Sequence, residues 1–360
     1  VHGHAAPRVV ELQIELPLLP PCLDNFRLAV VTDVHGGTVT GRAEVQALAD
    51  QVAALDADAL VLVGDVSDGL VGDLRPVLGP LASLGGGGLP HGAYFVTGNH
   101  ELYFDTPENW RSYMEEIGFK SLCNERVAIP SNSTCSFDLI GLEDRDIGSD
   151  IDSALEGRNS SKASVLLAHQ PVEFRKAVAN NIGLTISGHT HGGHIFPAHA
   201  FNYMAQDSYV AGLFKQKKSY LYVSEGAMGW GPRTRLLSTR EVAVLALRSP
   251  ELSSSHRRGS AGQGEEAPGS RAAQRASYAA FAWMALVMAA WVVSWVGRRH
   301  QQRKQRRRRK SLSMRSAGED GDLRKKQVIH DIPSLCAPSA VAAVGSIIEE
   351  VEQKQGQQRV

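Results

Sequence analysis

Residues 28–35 read Leu28-Ala29-Val30-Val31-Thr32-Asp33-Val34-His35, an apolar run that ends on two residue types able to bind a metal ion. Runs of this length rich in Val, Leu and Ile are typical of buried strands in an α/β sheet. Four more follow the pattern: Ala59–Val63 before Gly64-Asp65, Tyr94–Thr97 before Gly98-Asn99-His100-Glu101, Val165–Ala168 before His169, and Leu184–Ser187 before Gly188-His189-Thr190-His191. Because ligands gather at the carboxyl ends of such strands, these side chains are predicted to converge on one crevice.

Seven residues form this predicted set: Asp33, His35, Asp65, Asn99, His169, His189 and His191. A catalytic ion takes three or four protein ligands and keeps one position open, so the set is too large for one ion. Two divalent cations roughly 3.5–4 Å apart, bridged by a carboxylate, can clamp a phosphoryl group during in-line displacement. The sequence therefore predicts two ions with Asp65 between them. Mn, Fe and Zn all suit these ligands.

Each motif is weak when it is taken singly. An Asp-x-His or Gly-Asp pair is common, and a lone histidine such as His169 is more often a hydrogen-bonded core residue than a ligand. The order of the five blocks, each at the end of a strand-like run, is the context that favours the metal centre. His194 and His199 are interpreted as rim or surface residues.

The five blocks resemble those of the calcineurin-like metallophosphoesterases. The blocks are Asp33-Val34-His35, Gly64-Asp65-Val66-Ser67-Asp68, Gly98-Asn99-His100-Glu101, His169 and Gly188-His189-Thr190-His191. The resemblance runs from about Leu12 to Leu247 and is strongest with a membrane-associated branch, through Gly192-Gly193, Leu221 to Gly226 and Arg233 to Leu247. His194 departs from that branch, which usually has Gln there.

The resemblance implies a fold and a set of roles. The fold is α/β (α+β), a four-layer α-β-β-α sandwich with two mixed sheets. Asp33, His35 and His191 would hold the first ion, Asn99, His169 and His189 the second, and Asp65 both. His100 would protonate or stabilise the leaving oxygen, Asp68 would orient His100, and the nucleophile would be hydroxide bridging the ions.

The segments between these runs predict the other elements. Helical spacing favours helices over Val45–Leu55, Leu74–Leu84 and Pro107–Ile117, whereas Phe119–Leu142 is predicted as a strand hairpin without an intervening helix. A disulfide between Cys123 and Cys135 could join the two strands of that hairpin, with two buried thiols as the alternative.

Composition and charge divide the chain into four parts. Lys plus Arg and Asp plus Glu balance at 38 each over 360 residues, so net charge selects no partner. The predicted parts are a catalytic domain at 1–248, a Pro, Gly and Ser-rich linker at 249–276, a transmembrane helix at 277–297 and a basic, mostly disordered tail at 298–360.

The segment Ser277–Gly297 has no charged residue and carries apolar side chains on every helical face. About 20 helical residues cross the roughly 30 Å hydrocarbon core, and Tyr278 and Trp295 lie near its two ends, where aromatic rings favour the interface. The alternative is a buried helix of a second globular domain.

Arg298-Arg299, Arg303-Lys304 and Arg306 to Lys310 follow the apolar segment directly. Such a run can indicate nuclear localisation or nucleic-acid binding, but directly after a span it favours a cytoplasmic tail that attracts anionic lipid. The catalytic domain is then predicted to be extracellular or lumenal, in agreement with glycosylation acceptors at Asn132 and Asn159. The chain begins at Val1, so an upstream signal peptide or further spans could alter this topology.

Three functions remain open at this point. The first is a membrane-anchored, metal-dependent phosphohydrolase acting on a phosphoester substrate, lipid phosphoesters included. The second is a nuclease or nucleotide phosphodiesterase with the same two ions, which would need a basic groove or aromatic platform. Lys215, Lys217 and Lys218 form only a small basic cluster, so no nucleic acid is expected. The third is a non-catalytic binding protein that retains the fold.

Overall fold

Two six-stranded sheets form the centre of the protein, in a computed structural model that describes residues 6–131, 133–193, 205–231, 235 and 238–252. The strands are β1 Arg8–Glu15, β2 Phe26–Val31, β3 Ala59–Val63, β4 Ala93–Val96, β5 Lys120–Ser121, β6 Glu125–Ile129, β7 Phe137–Gly141, β8 Ser164–Leu167, β9 Leu184–Ser187, β10 Gly212–Gln216, β11 Ser219–Val223 and β12 Glu241–Arg248. The first sheet has the order β1-β12-β2-β3-β4-β5, and the second has the order β10-β11-β9-β8-β7-β6. Each sheet contains parallel and antiparallel pairs, which confirms two mixed sheets.

The five predicted strands all form, but they are divided between the sheets. β2, β3 and β4 lie side by side in the first sheet, whereas β8 and β9 are neighbours in the second. β6 and β7 form the expected antiparallel hairpin. β5 instead pairs in parallel with β4, so the chain passes from the first sheet to the second between Ser121 and Glu125.

The α-helices whose full bounds lie within the described residues are α1 Arg42–Ala53, α2 Val71–Leu78, α3 Ala82–Gly85, α4 Asn99–Phe104, α5 Pro107–Glu116, α6 Ile151–Leu155 and α7 Phe174–Ala179. α1 and α5 confirm two predicted helices to within a few residues at each end. The single helix predicted over Leu74–Leu84 is wrong in its continuity, because a 3₁₀ turn at Gly79–Leu81 separates α2 from α3. Pro80 in that turn has no N–H to donate to a continuing helix.

Alternate residues of each strand face opposite sides of its sheet. In β2, Leu28 and Val30 join the cluster between the two sheets, whereas Ala29 and Val31 join a cluster with buried residues of α1, α2 and α5. A third cluster joins the outer face of the second sheet to α6 and α7. The layers therefore run helix, sheet, sheet, helix.

Neither alternative left open for Cys123 and Cys135, a disulfide between them or two buried thiols, is correct. Cys135 is bonded to Cys22, which lies in a 3₁₀ turn at Pro21–Leu23 before β2, and Cys123 is a free, exposed thiol. The hairpin register gives the reason, since Glu125 pairs with Gly141 and Ile129 with Phe137. Cys123 precedes β6 and Cys135 precedes β7, so the antiparallel pairing carries them to opposite ends of the hairpin.

Within the ranges given above, no helix has both the length and the apolar character that a membrane span requires. The predicted span at 277–297, the tail at 298–360, all but the start of the linker, and residues His194, His199 and Asn132 lie outside those ranges.

Candidate metal centre

The predicted metal-binding residues lie where strands of both sheets end. Asp33 and His35 follow β2, Asp65 follows β3, and Asn99 begins the helix after β4. From the second sheet, His169 follows β8, and His189 and His191 follow β9. The crevice is therefore built by both sheets, with β2, β3 and β4 on one side and β8 and β9 on the other.

The backbone at these strand ends turns through the left-handed region, which L residues rarely adopt. Five of the seven predicted ligands have positive φ: Asp33 (55°), His35 (46°), Asp65 (52°), His189 (69°) and His191 (51°). Such residues cost of order 1–3 kcal/mol each and cluster at functional sites. The sharp turn lets each strand end present its side chain to the crevice.

Asp33, His35 and His191 form one compact group, in which one ligand atom from each lies within 4.8 Å of the others. His191 Nε2 is 3.7 Å from Asp33 Oδ1 and 3.0 Å from His35 Nε2. All three side chains are buried. They are the three residues expected to hold the first ion together with Asp65.

Asp65, His169 and His189 form a second group within the same distance limit. His169 Nε2 is 3.0 Å from Asp65 Oδ2, and His169 Nδ1 is 2.9 Å from the carbonyl oxygen of Val63. A carbonyl can only accept, so His169 Nδ1 carries the proton, and metal-binding histidines are commonly held in this way. Nε2 is then the ring nitrogen available to bind an ion.

Asp65 stands between the two groups. Its Oδ2 is 3.8 Å from His35 Nε2 on the first side, and 3.0 Å from His169 Nε2 on the second. His35, Asp65 and His100 also qualify as a group by the same 4.8 Å criterion. This is the central position that the sequence predicts for a bridging carboxylate.

Several buried polar atoms in the crevice have no hydrogen-bond partner in the described part of the protein. Among the described residues, Asp33 Oδ2, Asn99 Oδ1 and His189 Nδ1 are buried without a hydrogen-bond partner. An unsatisfied buried polar atom costs about 1–3 kcal/mol, so three in one place require a partner. Carboxylate, amide and imidazole donors are those that Mn, Fe and Zn accept, and the residues present therefore fit two such ions.

Asp68 links His100 to the metal-binding set. Its Oδ1 is 2.7 Å from His100 Nδ1 and 2.8 Å from His35 Nδ1. The predicted contact with His100 is present, while the contact with His35 escaped the sequence analysis. One carboxylate thus fixes the rings of a candidate ligand and of the candidate acid.

Burial and neighbouring charges set the protonation of the crevice. Burial raises the pKa of Asp33. Burial acts in the same direction on Asp65, but the nearby histidines, above all His169, have the larger combined effect and hold the pKa of Asp65 well below its usual value. Burial lowers the pKa of His189 to about 3. A neutral imidazole at His189 is the form that binds a metal ion.

Glu101 is a supporting residue to which the sequence analysis gave no role. It is fully buried and accepts hydrogen bonds from the N–H groups of Gly98 (2.6 Å), Asp65 (3.0 Å) and Val66 (2.8 Å). Burial raises the pKa of this carboxyl to about 7. The sequence feature that could have indicated this supporting role is the place of Glu101 in the block Gly98-Asn99-His100-Glu101.

Arg235 is a second residue without an assigned role. Its Nη2 lies 3.1 Å from His191 Nδ1, and its guanidinium donates to the carbonyls of Glu225, Met228 and Thr239. The guanidinium thus connects the strand-end histidine to the chain that leads into β12. No local pattern could reveal this pair, since 44 positions separate the two residues.

Comparison with known proteins agrees with this geometry. Residues 26–193 match the family model for the calcineurin-like phosphoesterases. The bovine (Bos taurus) transmembrane protein with metallophosphoesterase domain is 32% identical over 259 residues, covering 68% of this chain and 57% of that protein. An uncharacterized metallophosphoesterase of Helicobacter pylori is 34% identical over 248 residues, covering 68% of this chain and 65% of that protein.

The aligned part of the chain thus spans less than two thirds of each relative. The crystal structure of a dimetal phosphatase from Danio rerio shares 13% identity with this chain at a TM-score of 0.40, covering 62% of this chain and 93% of that one. The ordered blocks, the two mixed sheets and the matched family model agree with one another. Residues 26–193 therefore form a calcineurin-like phosphoesterase domain.

Proposed function

We propose that this chain is a metal-dependent phosphohydrolase. The observation that carries the proposal is the position of Asp65, with Asp33, His35 and His191 on one side and His169 and His189 on the other. The calcineurin-like phosphoesterase domain at residues 26–193 supports the same reaction class. When bound, two divalent ions would supply Lewis acidity to the phosphoryl group and activate the attacking water.

We assign the ligands in two sets that share Asp65. Asp33, His35 and His191 would hold the first ion, and Asn99, His169 and His189 the second. The support is the distances within each group and the buried atoms Asp33 Oδ2, Asn99 Oδ1 and His189 Nδ1, which find no partner among the described residues. The donor chemistry suits Mn, Fe or Zn without selecting among them.

His100 would give a proton to the leaving oxygen through Nε2. Its Nδ1 bonds to Asp68 Oδ1, and the carboxylate raises the pKa of the imidazole against the opposing effect of burial. The remaining nitrogen, Nε2, is 4.0 Å from Asp65 Oδ2 and so lies beside the proposed ions. Asp68 would hold the ring in this orientation.

Two substitutions separate ligand from acid. Asp65→Asn removes a charge shared by both ions, so we expect loss of both ions and of turnover. His100→Ala removes a proton donor, so we expect turnover to fall by about 10²–10⁴-fold with metal content nearly unchanged. Purified variants would be compared by metal analysis and by hydrolysis of generic phosphoesters in Mn²⁺. Equal metal loss in the two variants would contradict these roles.

We also propose the arrangement predicted for the rest of the chain: a catalytic domain at 1–248, a linker at 249–276, a membrane anchor at 277–297 and a cytoplasmic tail at 298–360. The uncharged apolar segment and the basic run after it support the proposal. Two membrane-associated relatives, the bovine protein and one from Danio rerio, support it further by their names.

This orientation would bring the catalytic domain to the extracellular or lumenal side. The Cys22–Cys135 disulfide suits an oxidising compartment, and Asn159 is exposed in its acceptor triplet. In cells, endoglycosidase is expected to increase the mobility of the full chain, and the Asn132→Gln, Asn159→Gln double variant should show no shift. A domain untouched by endoglycosidase and by protease added outside the cell would overturn this orientation.

A further inference from the structure

A rim of exposed apolar side chains lies beside His100. Tyr103, Phe104 and Trp230 have ring centroids 5.4, 5.8 and 5.7 Å from that of His100. They are 60%, 43% and 49% exposed, respectively. These rings therefore border the candidate acid and still face outward.

Two leucines extend this rim. Leu102 is 40% exposed and precedes Tyr103 on α4. Leu70 is 52% exposed and precedes Val71, whose N–H donates to Asp105 Oδ2 at 3.0 Å, so the start of α2 lies against the end of α4. We call Leu70, Leu102, Tyr103, Phe104 and Trp230 the apolar rim.

The apolar rim is a concentration of exposed apolar surface. Of the nine large hydrophobic side chains exposed among the described residues, five belong to it. Single exposed hydrophobic residues are ordinary, but a contiguous patch beside a polar crevice marks a binding surface. Its place beside the candidate acid makes this surface available to an apolar part of a substrate.

The place of the rim determines which part of a substrate it would contact. If His100 protonates the leaving oxygen, the group attached to that oxygen extends past the His100 ring and over the apolar rim. The transferred phosphoryl group remains on the other side, beside Asp65. The rim therefore selects the leaving group and leaves the phosphoryl group to the ions.

We propose that the substrate is an amphiphilic phosphoester whose leaving group carries acyl chains, and that the apolar rim binds the start of those chains. This inference rests on the proposed phosphohydrolase function. Water supplies the oxygen of the new P–O bond and releases one proton to the solvent. The P–O bond to the leaving group breaks, the proton on His100 Nε2 passes to the leaving oxygen, and His100 is reprotonated from the solvent. The products are a phosphate compound and an acylated alcohol.

The composition of the rim favours acyl chains over a nucleobase. Two of the five members are leucines, which offer no flat surface. The Tyr103 hydroxyl lies 3.4 Å from Asp146 Oδ2, so this ring has an apolar body and a polar tip, as rings at a membrane interface do.

The test compares substrates that differ only in their acyl chains. The monoester pair is glycerol 3-phosphate and dihexanoyl phosphatidic acid, and the diester pair is glycerophosphocholine and dihexanoyl phosphatidylcholine. The full chain, kept soluble in amphipol with Mn²⁺, would be assayed on both pairs and on adenosine monophosphate. Each buried methylene is worth ~4-fold in kcat/KM, so burying three gives on the order of 50-fold for the acylated member of whichever pair is cleaved.

Variants connect that preference to the rim. Phe104→Ser should reduce the acyl preference ratio by about 5- to 20-fold, because a half-exposed ring contributes only part of the contact area. Leu213→Ser, on β10, is the matched control, since Leu213 is also exposed (41%), and it should retain the wild-type ratio. A ratio of two kcat/KM values in one preparation does not depend on how much of the variant is folded.

Three outcomes would overturn this inference. Equal kcat/KM for acylated and unacylated members would show that the rim binds no chain, and a preference retained in Phe104→Ser would locate the chain elsewhere. Adenosine monophosphate cleaved faster than either acylated substrate would favour a base on the rim. In each of these cases the phosphohydrolase activity stands, whereas no hydrolysis of any substrate by metal-loaded protein would reject both proposals.

Discussion

At the scale of single residues, the crevice depends on close approach of backbone to side chain. A Cβ placed on Gly98 would lie 2.3 Å from Asp65 Oδ1 and 2.4 Å from the Asp65 backbone nitrogen. Real Cβ atoms do not approach that closely, so any larger residue at 98 must displace Asp65. The two motifs Gly64-Asp65 and Gly98-Asn99 are thus a single packed contact in three dimensions.

Gly98→Ala tests that contact. The added methyl group displaces the carboxylate expected to serve both ions, so we expect metal affinity to fall at least 10-fold and unfolding free energy to fall by about 1–3 kcal/mol. Gly72→Ala is the control, because a Cβ at Gly72 meets nothing within 4 Å. Gly72 lies in α2, where alanine should add about 0.5–1 kcal/mol of stability. Metal titration and denaturant unfolding of both variants provide the measurements; unchanged affinity in Gly98→Ala would contradict the packing argument.

At the scale of elements, the Cys22–Cys135 disulfide joins the two sheets at one end. Cys22 lies in the turn before β2 of the first sheet, and Cys135 lies just before β7 of the second. The bond closes a loop across 113 positions, so it removes much conformational freedom from the unfolded chain. The hairpin register decides this pairing and leaves Cys123 unpaired.

Cys135→Ser is therefore expected to lower the free energy of unfolding by about 2–5 kcal/mol, the usual range for loss of a native disulfide. Cys123→Ser should change it by less than about 0.5 kcal/mol, since Cys123 is an exposed free thiol. Denaturant unfolding of the oxidised proteins measures both values. If the two variants behaved alike, the assignment of the disulfide to Cys22 and Cys135 would be wrong.

At the scale of the whole molecule, the proposed ions would connect the two sheets. The first group draws Asp33 and His35 from loops of the first sheet and His191 from the second, and the second group draws Asp65 from the first sheet and His169 from the second. Bound metal would thus oppose separation of the sheets. The apolar cluster between the sheets also holds them together, but it does so without metal.

Metal removal should therefore lower thermal stability. Chelation with EDTA is expected to reduce the midpoint of unfolding, and Mn²⁺ at 100 times its Kd should restore about 2.7 kcal/mol for each independent site. Asp65→Asn should gain much less from Mn²⁺, because it lacks the shared carboxylate. Differential scanning calorimetry with and without metal measures the shift. An equal gain in wild type and Asp65→Asn would mean that the stabilising ion binds elsewhere.

The sequence by itself determined the strands and the chemical character of the centre. The runs Ala59–Val63 and Leu184–Ser187 form strands with those same bounds, since a short, buried β-rich run leaves the chain few other stable forms. The residue types after each run also limit the chemistry, because carboxylates, an amide and imidazoles suit divalent cations however they are arranged.

Only the tertiary structure decided which strands share a sheet, which cysteines are bonded and which distant groups support the ligands. β5 joins the first sheet, Cys135 bonds to Cys22, and Arg235 reaches His191, and none of these contacts leaves a periodic trace in the sequence. The apolar rim arises in the same way, from the approach of α2, α4 and Trp230 to His100. Local patterns specify faces and ends of elements, whereas partners far apart in the chain are chosen by packing, which a single sequence does not display.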